Sequence, residues 1–188
     1  MEWSGRSRPY GEAMTRSALL VVLAGRPGTG KTTLGRLLAE RLPATYLRID
    51  AVETVVIRYG LARPPVGPVG YGVAHEIARG NLELGGSVVV DAVNAVPEAR
   101  AGWRHLSDLA EPVFLETVLP DEQEHRRRVE RRRPDLPDQI VPGWAEVAAR
   151  EYVPWDEARD GPRHVVDMTR TGTGLATALA HLGSVAAR

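Results

Sequence analysis

Cysteine is absent from the 188 residues, which excludes disulfide scaffolds, thiolate-held iron–sulfur clusters and zinc fingers. An excess of either charge is absent as well, because 24 basic and 24 acidic side chains give a formal net charge of +0. Sequence-independent binding to nucleic acid demands a net basic face, so that class is disfavoured, although a small basic site is not. No apolar run approaches the ~20 residues that a bilayer-spanning helix needs, and no membrane role is expected. The run Ala18 to Ala24 follows Arg16 as in a secretion signal, but it leads straight into Gly25, Gly28, Gly30 and Lys31 and reads as a buried strand. Without a leader, the expected compartment is the cytoplasm. Lysine is almost missing: Lys31 stands alone beside 23 arginines. Genome composition could produce that bias, but the place where the one lysine survives is informative.

What is present is ordinary globular chemistry, with 43% hydrophobic residues and enough length to bury roughly 70% of the unfolded surface. Residues 1–17 mix Arg, Ser, Gly and Pro without periodicity and are expected to form an extension or edge element. Residues 18–188 are expected to form one domain. Within it, short β-rich runs alternate with helical segments, the pattern of a mostly parallel sheet covered on both faces. The strands fall at Ala18–Ala24, Thr45–Ile49, Ser87–Val90, Val113–Leu119 and Arg163–Val166. Helical spacing covers Thr32–Leu42, Val73–Leu84, Pro97–Ala110, Asp121–Arg133, Trp144–Tyr152 and Thr173–Ala187. Prolines and glycines make loops of Leu61–Gly70 and Pro134–Gly143.

The strongest motif is Gly25-Arg26-Pro27-Gly28-Thr29-Gly30-Lys31-Thr32, a complete GxxxxGK[ST] between a strand and a helix. Its glycines let backbone N–H groups turn inward around phosphate oxygens. Lys31 can bridge the outer phosphates, the Thr32 hydroxyl can ligate Mg²⁺, and Thr33 extends the cradle into the helix whose positive end faces the anion. Such a loop needs an acidic group on a neighbouring strand to hold Mg²⁺ from the other side. Asp91, closing Ser87-Val88-Val89-Val90, supplies it unless it only caps the following turn.

A second carboxylate, Asp50, ends Thr45-Tyr46-Leu47-Arg48-Ile49. Parallel sheets place ligands beyond the carboxyl ends of their strands, so Asp50, Asp91 and Lys31 should share one crevice. One carboxylate can serve the metal while the other takes the proton of an incoming hydroxyl. The competing use of Asp50 is as the N-cap of a helix over Ala51–Tyr59. Further on, six arginines crowd the nine residues His125–Arg133, with Arg128 and Arg132 four apart on one helical face. Followed by a Pro-rich segment, they suit a lid over about residues 126–152 that closes on the nucleotide and neutralises the transferring phosphoryl group. The bland alternative for each of these arginines is a solvated basic face.

These residues together resemble the P-loop small-molecule kinases, a family grouped in name with AAA-type ATPases and including chloramphenicol phosphotransferase, zeta toxins and the kinase domain of phage polynucleotide kinase. The likeness spans Ala18 to about Leu182. It implies an α/β three-layer sandwich with a five-stranded parallel sheet ordered 2-3-1-4-5 and an arginine-bearing lid. It also implies that Asp50 activates the acceptor hydroxyl, that Lys31, Arg128 and Arg132 act on the donor phosphates, and that Met168–Gly172 borders the adenine. The acceptor side would draw on Asn94, Arg100 and Tyr71, with His75 and Trp103 nearby.

The activity expected is transfer of the γ-phosphate of ATP, with Mg²⁺, to a hydroxyl of a small molecule. Two alternatives stay open: a polynucleotide or nucleoside 5′-kinase, in which nucleic acid enters only as acceptor, and a nucleotide-gated binding module with weak ATPase activity.

Overall fold

Alternate residues of the most apolar strand face opposite ways, and in this chain both ways are inside. In the computed structural model, which describes residues 18–186, β1 (Leu20–Ala24) is buried at all five positions. Leu20 and Val22 pack into one core cluster, and Val21 and Leu23 into another. A period of two with both faces covered is what an unbroken Leu/Val run encodes. Each such side chain contributes roughly 1.5–3 kcal/mol on burial.

Around β1 lie β2 (Ala44–Arg48), β3 (Ser87–Asp91), β4 (Pro112–Val118) and β5 (His164–Asp167), in the order β2-β3-β1-β4-β5. Every adjacent pair is parallel, and this is the order that the family resemblance implied. On one face, α1 (Lys31–Arg41) and α8 (Thr171–Ala186) contribute Leu34, Leu38, Ala178 and Leu182. On the other, α3 (Val69–Glu83) and α4 (Pro97–Trp103) contribute Ala74, Ala78, Leu82 and Trp103. The remaining helices are α2 (Ile49–Arg58), α5 (Glu122–Arg131), α6 (Trp144–Ala149) and α7 (Glu157–Asp160).

Several boundaries differ from the sequence expectation for local reasons. Helix α2 begins at Ile49, so Asp50 is its second residue and Arg48 occupies the N-cap. Asp50 still favours that helix through its positive end, but it is not the cap. Helix α3 starts at Val69 behind Pro68, because a missing N–H costs nothing at a helix start. The segment expected to run helically to Ala110 leaves α4 at Trp103 for a 3-10 turn over Arg104–Leu106. Helix α7, too short to show periodicity, is set by its cap: the Asp156 carboxylate accepts from the N–H groups of Ala158 and Arg159. The expected extension, residues 1–17, lies outside the described residues.

Helix α7 also supplies half of a fully buried ion pair. Arg100, with no exposed surface, donates Nη1 to Asp160 Oδ2 at 2.7 Å, Nε to the Asn94 carbonyl at 2.9 Å and Nη2 to the Val153 carbonyl at 2.6 Å. Hydrogen bonding from Arg159, reinforced by Arg100, holds the Asp160 carboxyl well below the usual carboxylate range. Removing one partner of such a pair strands the other charge in the interior. Asp160→Ala is therefore expected to destabilise the protein by about 3–5 kcal/mol in urea denaturation, and a loss below about 1 kcal/mol would show that Arg100 finds other compensation.

Candidate active site

The chain leaves β1 through backbone conformations closed to most residues. Gly25 has φ 130° and Gly28 φ 87°. A Cβ at Gly25 would run into the Thr117 carbonyl, and one at Gly28 would lie 2.5 Å from a methyl of Val129. Both turns are thus closed to a side chain by geometry and by space. Thr29 closes the loop with a 2.6 Å hydrogen bond between its hydroxyl and that of Thr117.

Lys31 folds back inside the loop, donating Nζ to the carbonyls of Gly25 at 2.8 Å and Arg26 at 2.9 Å. Burial lowers its ammonium to about 8, against the opposing pull of Asp91 and Asp50. At the start of α1, Thr32 donates its hydroxyl to Asp91 Oδ2 at 2.7 Å, and Tyr46 donates to the same oxygen at 2.8 Å. A hydroxyl and a carboxylate so placed fit Mg²⁺, a hard ion that takes one or two protein oxygens and completes its shell with phosphate oxygens and water. Among the described residues no cluster of three or more His, Asp or Glu is gathered to hold a metal unaided.

Lys31, Thr32, Asp50, Asp91, Arg128 and Arg132 all line one cleft of about 940 Å³, to which Pro27, Gly28, Gly30 and Thr33 also contribute. The two arginines part company there. Helix α5 ends at Arg131, so Arg132 takes extended backbone and leaves the helical face it was expected to share with Arg128. Its Nη2 lies 3.4 Å from Asp50 Oδ2. Arg128 pairs with Glu124 and donates to the carbonyls of Met168 at 2.9 Å and Thr169 at 3.0 Å, bracing the segment expected beside adenine. The outer side of the loop is tied to the lid helices: His125 Nε2 bonds the Pro27 carbonyl at 2.8 Å, and Arg26 reaches the Val147 carbonyl at 3.2 Å.

The acceptor-side candidates lie elsewhere. Asn94 has no exposed surface; its amide donates to the Leu23 carbonyl at 2.6 Å and its Oδ1 accepts from the Trp103 indole at 3.0 Å. Arg100 is consumed by the buried pair described above. Tyr71 accepts the Asn94 backbone N–H at 3.2 Å, and burial pushes its phenol up to about 12. His75 stacks edge-on against Trp103. None of these residues lines the cleft. A polar residue just past a strand was a plausible contact, but the turn out of β3 spends it on holding two strands and a helix together.

Residues that the sequence reading passed over stand in the cleft instead. Arg48, with a side chain only 4% exposed, is flanked by three carboxylates. It holds Asp135 in a fork of 2.8 and 3.0 Å and donates to Asp50 at 3.2 Å. That fork lowers the Asp135 carboxyl to about 2. Gln139 donates to Asp50 Oδ2 at 3.1 Å. The signal available in sequence was an arginine ending a strand two residues before a candidate base; Asp135 and Gln139, in an aperiodic loop, offered none.

An inward lysine on a glycine-rich strand-to-helix loop, facing a hydroxyl–carboxylate pair across this sheet order, defines a nucleotide-binding P-loop protein with the kinase-like α/β fold. Residues 20–143, more than half of the chain, match the AAA domain family, and the chain belongs to it. It is 32% identical over 130 residues to a UPF0200 protein of Aeropyrum pernix and 31% identical over 128 residues to a shikimate kinase of Hahella chejuensis. These matches take in 61% and 62% of this chain and span 65% and 61% of the relatives' lengths. A sugar kinase structure from a Janibacter species shares the fold at a TM-score of 0.68 and 17% identity, covering 88% of this chain and 95% of its own. Among the described residues no helix is long and apolar enough to cross a membrane.

Proposed function

We propose that the protein transfers the γ-phosphate of ATP to a hydroxyl of a small molecule. The observation that carries this reading is the placement of Asp50 in the same cleft as the lysine-bearing loop and the Thr32–Asp91 pair. A nucleotide-binding site alone does not need that second carboxylate. All three donors to Asp50 converge on Oδ2, which leaves Oδ1 for an acceptor hydroxyl.

In transfer, Lys31 exchanges its two carbonyl partners for phosphate oxygens, and Arg128 and Arg132 supply charge from the lid side. As the acceptor oxygen bonds to the γ-phosphorus and the bond to ADP breaks, Asp50 takes the hydroxyl proton. Thr32 and Asp91 would hold Mg²⁺, which screens the phosphate charges when bound. Lid closure keeps water from competing with the acceptor.

The names of two relatives, a shikimate kinase and a sugar kinase, support a small-molecule acceptor. So does the pairing of two outward arginines of α5, since Arg126 binds Glu130, and Arg127 binds Glu124. These two pairs reduce the positive charge that α5 shows to solvent, and with it the attraction that a polynucleotide would need. ATP supply is consistent with a cytoplasmic enzyme.

The test is a screen of hydroxylated metabolites and antibiotics with labelled ATP and mass analysis of products. One or more acceptors should gain a single phosphoryl group and speed ADP release. Steady hydrolysis with no acceptor stimulation, joined to nucleotide-dependent capture of a partner, would replace this reading with the binding module.

A further inference from the structure

We infer that Arg48 is a positioning residue that couples closure of the segment 132–140 over the cleft to the placement of Asp50. The inference rests on the phosphotransfer reading above. Arg48 closes β2 opposite Asp91 in the strand register, and its guanidinium stands where three elements meet. Nη2 is shared between Asp50 Oδ2 at 3.2 Å and Asp135 Oδ1 at 3.0 Å, while Nη1 takes Asp135 Oδ2 at 2.8 Å. Nε lies 3.8 Å from Asp91 Oδ2, buried and without a hydrogen-bond partner. One nearly inaccessible cation thus serves the donor-side carboxylate, the acceptor-side carboxylate and the strap.

The strap is otherwise fastened from its outer side. Arg36 of α1 adds a 2.8 Å bond to Asp135. Arg58 of α2 binds Asp138 and the Pro137 carbonyl, both at 2.8 Å. Inside, Gln139 ties the two ends together, accepting the Asp135 N–H at 3.2 Å while donating to Asp50 at 3.1 Å. When Asp135 sits in the Arg48 fork, Asp50 is gripped from both sides, by Arg48 of β2 and by Arg132 and Gln139 of the strap. Without Arg48, the strap loses its buried anchor and Asp50 keeps only partners that move with the strap, Arg132 and Gln139. A guanidinium can do this because its planar fork serves two carboxylates at once, which a lysine ammonium cannot match in geometry.

Two variants separate tethering from positioning. Asp135→Asn removes the anchor but leaves Arg48 beside Asp50 and Asp91. Amide exchange over residues 134–140 should quicken at least about tenfold. Acceptor-independent hydrolysis of MgATP should rise about threefold or more, because water enters. Arg48→Met should also quicken exchange over the strap, whose Asp135 carboxylate then keeps only the exposed Arg36 bond. Its kcat for hydrolysis, in which water stands in for the acceptor hydroxyl at Asp50, should nonetheless fall at least about tenfold below that of Asp135→Asn, with the KM for MgATP within about threefold, because only this variant also loosens Asp50.

If Arg48→Met does not fold, Arg48→Lys takes its place, with the same open strap and a kcat at least about threefold below that of Asp135→Asn. Exchange in Asp135→Asn equal to wild type, or equal kcat in the two variants, overturns the inference while wild-type turnover leaves the kinase reading standing. A wild-type protein that neither binds nor hydrolyses MgATP overturns both.

Discussion

Lys31→Ala is expected to lower kcat/KM for MgATP by about a thousandfold or more, corresponding to ~4 kcal/mol of lost transition-state stabilisation. The size follows from burial. Lys31 is 7% exposed, so in the proposed transfer its charge would act on the phosphates in a poorly screened site. The same burial predicts how the variant behaves without nucleotide.

In the folded protein the ammonium lies at about 8 rather than 10.5, so between these values the unfolded chain binds the proton more readily. Stability contributed by this group therefore rises with pH across that window, and below it the buried charge is a constant cost. Removing the charge should leave the unliganded Tm unchanged or higher. MgATP should raise the Tm of wild type but not of the variant, since a ligand stabilises only the state it binds. A variant that unfolds earlier and still gains Tm with MgATP would show that Lys31 is structural. Calorimetry of MgATP binding and single-turnover transfer measure the two losses separately.

Asp50→Asn is expected to reduce transfer about 10²–10⁴-fold, the range set by loss of a positioned general base. Affinity for MgATP should stay within about twofold, because no donor-phosphate contact is removed. The substitution keeps size, and an amide oxygen can still accept from Arg48, Arg132 and Gln139, whose bonds now meet on Oδ2. What it loses is the capacity to hold a proton. Transfer by the Asp50→Asn variant at the wild-type rate would remove Asp50 from the chemistry and leave its position in the first turn of α2 as its only role. The comparison with Lys31→Ala is informative in itself, since one variant should fail in binding and chemistry and the other in chemistry alone.

Much of the fold was legible because its determinants are local or periodic. Leu20 to Ala24 announces a strand covered on both faces, whatever lies on either side. Asp121 marks the start of α5 by accepting from the N–H groups of Gln123 and Glu124, with Glu122 and Glu124 at the positive end and Arg128 and Arg131 at the other. The strand order needed the family resemblance, because hydrophobic period alone does not rank neighbours in a sheet. Boundaries slipped where the deciding contact is nonlocal or the element too short for a period, as at the end of α4 and throughout α7.

For the site, the division falls between the backbone motif and the side chains that surround it. Lys31, Asp91 and Asp50 could be placed in one crevice from sequence, because the loop motif is built from consecutive residues and strand ends share one edge of a parallel sheet. The sequence by itself determined the glycine-rich loop with its lysine and the two carboxylates, Asp50 and Asp91, that share its cleft. Only the tertiary structure decided that Asn94 and Arg100 turn inward to bind backbone and Asp160, that Arg132 leaves the helix and Arg128 braces Met168, and that Arg48 gathers Asp50, Asp91 and Asp135. A long polar side chain can reach in several directions from one backbone position. Which one it takes depends on partners dozens of residues away, and no local pattern records them.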